Sequence, residues 1–214
     1  MSHKNRSIIL AVESAIAGGS LAVLAADGTL LVSRIGRTDG SRAENILSEI
    51  DDCLRSGGLT LSSLTSIVVS AGPGSYTGIR AGIATALGLS LGLSKPLLTV
   101  DTFDALQFVF GREDRSLIFL PSGRNKVVAG YSGRNRDEDS SLKHAIINID
   151  ALQEFICEHE PGTPMLYHQI LRPHFIGHEN AIDVGGNMAF ALGMYSLSPY
   201  CRSSEPYFLG QERY

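Results

Sequence analysis

The sequence predicts an α/β fold built as two lobes, the first of them ordered βββαβα. Three observations carry this. The chain opens with three short apolar runs, and an Asp-Gly turn joins the second to the third. An amphipathic helix pattern follows, closed by paired glycines. A β-branched strand then passes through a glycine-dense turn into a long apolar helix.

Each element has its own warrant. Residues 7–12 form a continuous apolar run bounded by polar residues, which suits a buried strand. Residues 20–25 and 29–34 are two more, with Ala26-Asp27-Gly28 as the hairpin turn between them. Ser41 and Glu44 stand at capping-box spacing. Ala43, Ile46, Leu47, Ile50, Cys53 and Leu54 then recur at helical spacing until Gly57-Gly58 stops the helix. SIVVS at 66–70 is a short strand, and 97–100 is another after the Lys95-Pro96 break. Thr102 or Asp101 can cap a helix through FDALQFVF. In the second half, 117–120, 126–131 and 145–149 read as strands around the polar loop SGRNRDEDSS. Asp150 caps a predicted helix through ALQEFICEHE, PMLYHQI is a strand, and GNMAFALGMYSL is a helix that returns to the first lobe. A faint echo of βββαβ marks the second lobe. The division this implies is 1–110, 111–187 and 188–214.

Composition narrows the function. Hydrophobic residues make up 43% and charged ones 19%, an ordinary globular balance. The net charge is −4, and no basic stripe is visible. Unaided grip on nucleic acid needs clustered Lys and Arg, so weak tRNA binding by the chain alone is the expectation. Cys53, Cys157 and Cys201 are far apart and form no CxxC pair, which argues against a disulfide framework or a zinc knuckle. The opening MSHKNRSIILAVES reads as a first strand rather than a signal peptide, so the cytoplasm is the expected location.

The stretch SAGPGSYTGIRAGIATALGLSLGL at 70–93 carries the functional question. It lacks the lysine of a Walker A loop, and Gly72, Gly74 and Gly78 give GxGxxxG rather than the dinucleotide fingerprint. Its uncharged part is too short to span a membrane. The strand, glycine turn and helix start still suit an anion, which makes Gly72, Gly74, Ser75, Thr77 and Arg80 the candidate nucleotide-proximal loop. On a helical wheel Gly78, Ala81, Gly82, Thr85, Gly88 and Gly92 gather on one face, with Ile79, Ile83, Leu87 and Leu91 opposite. Each mid-helix glycine costs roughly 0.5–1 kcal/mol against alanine, so four need a compensating reason. The large residues are expected to cover the sheet. The small face is expected to admit a second helix, from residues 41–55 or from another protein.

Gly72-Pro73-Gly74-Ser75-Tyr76-Thr77-Gly78-Ile79-Arg80, with Gly82, Ala86, Gly88 and Leu89 downstream, resembles the GPGS[FY]TG[LIV]R motif of the TsaB (YeaZ) family. The context is similar too: a strand before it, LLTVDTFDAL after it, and Glu44-Asn45-Ile46-Leu47 in the first helix. The resemblance covers roughly residues 7–110, and Pro206-Tyr207-Phe208-Leu209 is similar to the family's closing P-x-Y-L-R. It departs at Arg42-Ala43-Glu44, where the family has HSE, and at Pro121-Ser122-Gly123-Arg124, where it has DAR. The resemblance implies a two-lobed actin-like ATPase (RNase H-like) fold with a worn second lobe. It also implies a non-catalytic partner of a TsaD-like enzyme in threonylcarbamoyladenosine modification at position 37 of tRNA. A TsaE-like ATPase joins that pair, ATP and metal belong to the partner complex rather than to this chain, and tRNA is met only through the complex. A homodimer is an open alternative. The partner interface so implied is Glu44, Leu47, Gly78, Ala81, Gly82 and Thr85.

Other chemistry leaves thin traces. Glu13 follows the first strand, where catalytic relatives in this superfamily place an Asp for metal and phosphate; a strand-end role is the competing reading. His174 and His178 have i, i+4 spacing, with Glu179 and Asp183 nearby, but Gly177 weakens a helix there and no HExxH is present. GxSxG is absent, so Ser75 and Thr77 are read as helix caps. Two rivals stay open. One is a hydrolase of the M22 glycoprotease-like kind, which metal analysis would reveal. The other is a stand-alone kinase-like ATPase, which ATP binding by the lone chain would reveal.

Overall fold

Every residue of β1 (Ile8–Glu13) is buried, because both faces of its sheet are covered. A computed structural model of the chain describes residues 7–16, 18–36, 45–111, 115–123, 125–132, 144–158, 162–201 and 203. β1 pairs antiparallel with β2 (Ser20–Ala25), and β2 with β3 (Leu30–Ile35). Gly28, at φ +82°, turns the chain between those two, while Thr29 N–H donates to the Asp27 carboxylate. α1 (Ile46–Ser56) then crosses to β4 (Ser66–Gly72), and α2 (Tyr76–Leu93) to β5 (Leu97–Asp101), both strands parallel to β1. The order is β3-β2-β1-β4-β5. The predicted cap pair Ser41 and Glu44 lies outside the described residues.

The second half repeats this plan. β6 (Leu117–Pro121), β7 (Lys126–Tyr131) and β8 (Ala145–Asn148) form the antiparallel part. After α4 (Leu152–Cys157) come β9 (Met165–Tyr167) and β10 (Ala181–Asp183), parallel to β6. Read from the other edge, the order β8-β7-β6-β9-β10 matches that of the first sheet. Two sequence readings need correction. Asp150 does not cap α4: the helix is preceded by a 3-10 turn, its N-cap is Ala151, and Asp150 instead accepts from Asn125 Nδ2 at 3.4 Å. PMLYHQI is strand only at Met165–Tyr167: Gln169–His174 is a 3-10 segment containing Pro173, and it stands where the first lobe has α2. The strand β10 was not predicted, since three residues are too few to show a period.

Three apolar clusters define the layers. Ile8, Leu10 and Val12 point under α1 and α2; Ile9 and Ala11, of opposite parity, point inward. The inner cluster joins both sheets to α3 (Thr102–Phe110) and α5 (Met188–Ser196). Leu117 and Phe119 face outward under α4. The stack is therefore helices, sheet, helices, sheet, helix. Asp101 caps α3, its carboxylate accepting from Phe103 and Asp104 N–H. α5 is tied to the first sheet, where Ala189 N–H donates to Ser20 Oγ at 2.9 Å.

Candidate functional site

The turn after β1 is held by its own carboxylate. Glu13 is only 2% exposed, and its Oε1 accepts from Ala15 N–H at 2.5 Å and Ile16 N–H at 2.9 Å. A buried carboxylate needs such donors, because desolvating the charge is otherwise prohibitive. Glu13 thus occupies the first amides of the turn rather than facing an open space.

The glycine turn closes over that same loop. Ser75 N–H donates to Ala15 O at 2.7 Å, and Ser75 Oγ caps α2 by accepting from Gly78 N–H at 3.3 Å. Ser14 Oγ donates to Gly78 O at 2.8 Å. A methyl on Gly74 would lie 2.6 Å from Ala15 O, one on Gly78 2.1 Å from Ser14 O, and one on Gly82 2.1 Å from Ser14 Oγ. These glycines exist so that the first turns of α2 can rest on the β1–β2 loop. Of the candidate nucleotide loop, Gly72 and Gly74 are buried and Ser75 is the cap, while Thr77 and Arg80 are exposed. Arg80 Nη1 donates to the Tyr76 hydroxyl at 3.1 Å and its guanidinium stacks over the same ring.

This overturns the face assignment from the wheel. A Cβ at Gly78 or Gly82 would meet not a second helix but the loop at Ser14. Ile79 is buried and Ile83 packs in the outer cluster as expected, but Ala86 and Gly82 share that side. Leu87 and Leu91, assigned to the sheet, are 47% and 72% exposed. Gly88 and Gly92 have open space where a Cβ would go. Ala81 and Thr85 are half-buried, Ala81 against the outer cluster. Leu47, on α1, is 59% exposed, and Glu44 lies outside the described residues. What these helices offer outward is Leu47 with Leu87 and Leu91, together with Gly88 and Gly92 from the lower half of the glycine stripe.

The late histidines do not share a helix. His174 ends the 3-10 segment, its carbonyl accepting from Gln153 Nε2, and Gly177 at φ +89° turns the chain before His178, whose ring sits edge-on to Phe175. Among the described residues no group of three or more His, Cys, Asp or Glu side chains is placed to hold a metal. Asp183 instead binds Arg172 through Nε at 2.7 Å and Nη2 at 2.6 Å. Sequence reading missed His168, a buried imidazole whose Nδ1 accepts from Ile170 N–H at 3.2 Å. Burial pushes its pKa down to about 4, against the opposing pull of Asp183. It also missed Ser14, whose signal was available: a polar residue directly before a loop that glycines must approach. No described helix is long and apolar enough to cross a membrane.

The family model for TsaD, tRNA N6-adenosine threonylcarbamoyltransferase, matches residues 39–185, well over half of the chain. The chain belongs to the family that this model describes. The Escherichia coli K12 tRNA threonylcarbamoyladenosine biosynthesis protein TsaB is 35% identical over 94 residues, 44% of this chain and 40% of that protein. That match spans less than half of the relative's length. The Bacillus subtilis 168 protein of the same description is 26% identical over 215 residues, 96% of this chain and 87% of that one. A Pseudomonas aeruginosa crystal structure, of an uncharacterized protein with similarity to peptidase YeaZ, superposes with a TM-score of 0.63. It shares 19% identity over 95% of this chain and 99% of that one, so the likeness speaks to fold. The likeness runs over nearly all of this chain and takes in both five-stranded sheets, in keeping with the two-lobed α/β fold that the resemblance implied.

Proposed function

We propose that this TsaB-type chain is a non-catalytic subunit that docks on a TsaD-like enzyme and supports threonylcarbamoyladenosine modification of tRNA. The observation that carries the docking is the outward apolar surface of the first-lobe helices, where Leu47, Leu87 and Leu91 stand exposed on one side of the first sheet. In a chain of net charge −4 such a surface fits a protein partner better than it fits RNA. Glu13 supports the non-catalytic reading, since its carboxylate is turned back onto its own loop amides. ATP, metal and a TsaE-like ATPase are assigned to the partner complex, which tRNA would enter without gripping this chain directly.

The test pairs affinity with chemistry. Leu87→Asp with Leu91→Asp should weaken binding to a TsaD-like protein from the same cell by about tenfold for each 1.4 kcal/mol lost, leaving the fold intact. The purified chain should turn over neither ATP nor peptide, and should restore modification when mixed with the partner. Turnover by the lone chain that disappears in Glu13→Gln would favour the kinase-like rival and end this reading.

A further inference from the structure

The second sheet has a cavity at the end where its parallel strands begin. Its volume is about 330 Å³, and it is bounded by Leu117 and Met165, the first residues of β6 and β9, and by Asn180, just before β10. Ligands of open α/β sheets sit at the opposite, carboxyl ends, where Glu13 and the glycine turn lie in the first lobe. The cavity is therefore a separate place in the fold.

Its lining divides by chemistry. Leu117, Ile156 and Met165 are buried side chains of β6, α4 and β9, and they make one wall apolar. Beside them stand Cys157 at the end of α4, and His178 and Glu179 in the loop before β10. Glu179 is exposed and has no ion pair among the described residues. The arginine nearest to it in sequence, Arg172, is held by Asp183 at 2.6 Å. The lining contains neither lysine nor arginine, so its one carboxylate favours a cation. Met165 and Cys157 bring polarizable sulfur, which contacts an aromatic ring more favourably than an alkyl chain.

We propose that this cavity binds a small arylalkyl amine, its ring on Leu117, Ile156 and Met165 and its ammonium on the Glu179 carboxylate. The volume sets the size: small-molecule sites span roughly 300–1,000 Å³, and one at the low end takes a single ring with a short amine arm. An apolar wall with a few polar groups is the division that fixes a ligand's orientation in such sites. A charge-assisted hydrogen bond to an otherwise unpaired carboxylate then selects the amine over its neutral and anionic counterparts.

The probe is phenethylamine, with hydrocinnamyl alcohol as its neutral and hydrocinnamate as its anionic counterpart. Each is titrated into the full chain with isotope-labelled methionine methyls. Phenethylamine should shift the Met165 methyl resonance to saturation. It should also slow alkylation of the exposed Cys157 by iodoacetamide about fivefold when four sites in five are filled, while Cys201 keeps its rate. The alcohol should bind about tenfold more weakly, and the acid more weakly still. Glu179→Gln, at an exposed position, should keep the circular dichroism unchanged and bring the amine down to the alcohol's affinity. Equal affinities for amine and alcohol overturn the proposal, as does an amine affinity that Glu179→Gln leaves unchanged. Saturable shifts at Met188 or Met194 without one at Met165 place the amine elsewhere and also overturn it. So does the lack of a saturable shift with all three probes. The assay needs no partner protein, so its outcome is independent of docking on a TsaD-like enzyme.

Discussion

At Gly78 an added methyl would sit 2.1 Å from the main-chain oxygen of Ser14, and at Gly88 it would meet nothing within 4 Å. The same substitution to alanine should therefore change sign along one helix. Gly88→Ala and Gly92→Ala should stabilise by about 0.5–1 kcal/mol through helix propensity alone. Gly78→Ala should destabilise by about 1–3 kcal/mol, because backbone must move. Gly82→Ala lies between, since the obstacle is the Ser14 hydroxyl, whose rotation forfeits a bond of about 1 kcal/mol. Urea unfolding of the four variants checks the order. Ser14→Gly should rescue Gly82→Ala but not Gly78→Ala, and rescue of both would remove the main-chain clash from the explanation. His168 gives a second test at this scale. Its pKa is about 4 when folded against 6.5 when free, so the unfolded chain takes up the proton first as pH falls. Stability from this group is full above about pH 6.5 and declines by up to about 3 kcal/mol towards pH 4. Wild type should lose more stability than His168→Gln between those limits; parallel pH profiles would contradict the buried neutral imidazole.

At the scale of single elements, α2 shows where sequence reading reaches and where it stops. Its start was legible, since Ser75 had a cap's residue type and the glycines marked a close approach. Its rotation was not. The helix is apolar nearly all round, so no stripe of contrast tells which arc meets the sheet. The glycines were the better guide, and they pointed to a loop that no local pattern could place beside them. The strands of the first lobe were legible from their runs, whereas β10 and the 3-10 segment before it needed the partner strand and Pro173 to be seen in space. The corrected orientation has a measurable consequence. Ile79→Ala, in the buried arc, should cost about 2–5 kcal/mol by leaving a cavity. Leu87→Ala, on the exposed arc, should change stability by no more than about 0.5 kcal/mol. Its effect should appear in partner affinity instead. Melting temperature and binding measured on both variants separate the two faces, and equal destabilisation would restore the wheel's assignment of Leu87 to the sheet.

For the whole molecule, the two sheets share an inner core in addition to the outer cluster that each has to itself. Ile9 and Ala11 of β1, Ile118 and Leu120 of β6, Leu106 of α3 and Leu192 of α5 all belong to one buried cluster. The second-lobe sheet is reached through helices that also cover the first, and α5 returns to hydrogen-bond Ser20. A shared core of this kind couples the lobes, because opening either sheet exposes apolar surface of the other. The chain should then unfold in a single transition, with coincident curves from far-UV circular dichroism and from tyrosine fluorescence. Leu192→Ala is the sharper probe, since Leu192 is fully buried between the layers. It should lower the global stability by about 2–5 kcal/mol, and native-state hydrogen exchange should show the loss equally at β1 and β6 amides. If only the β1 amides lose protection, the helix pair serves the first sheet alone. The second lobe would then stand as an independent unit despite sharing the cluster.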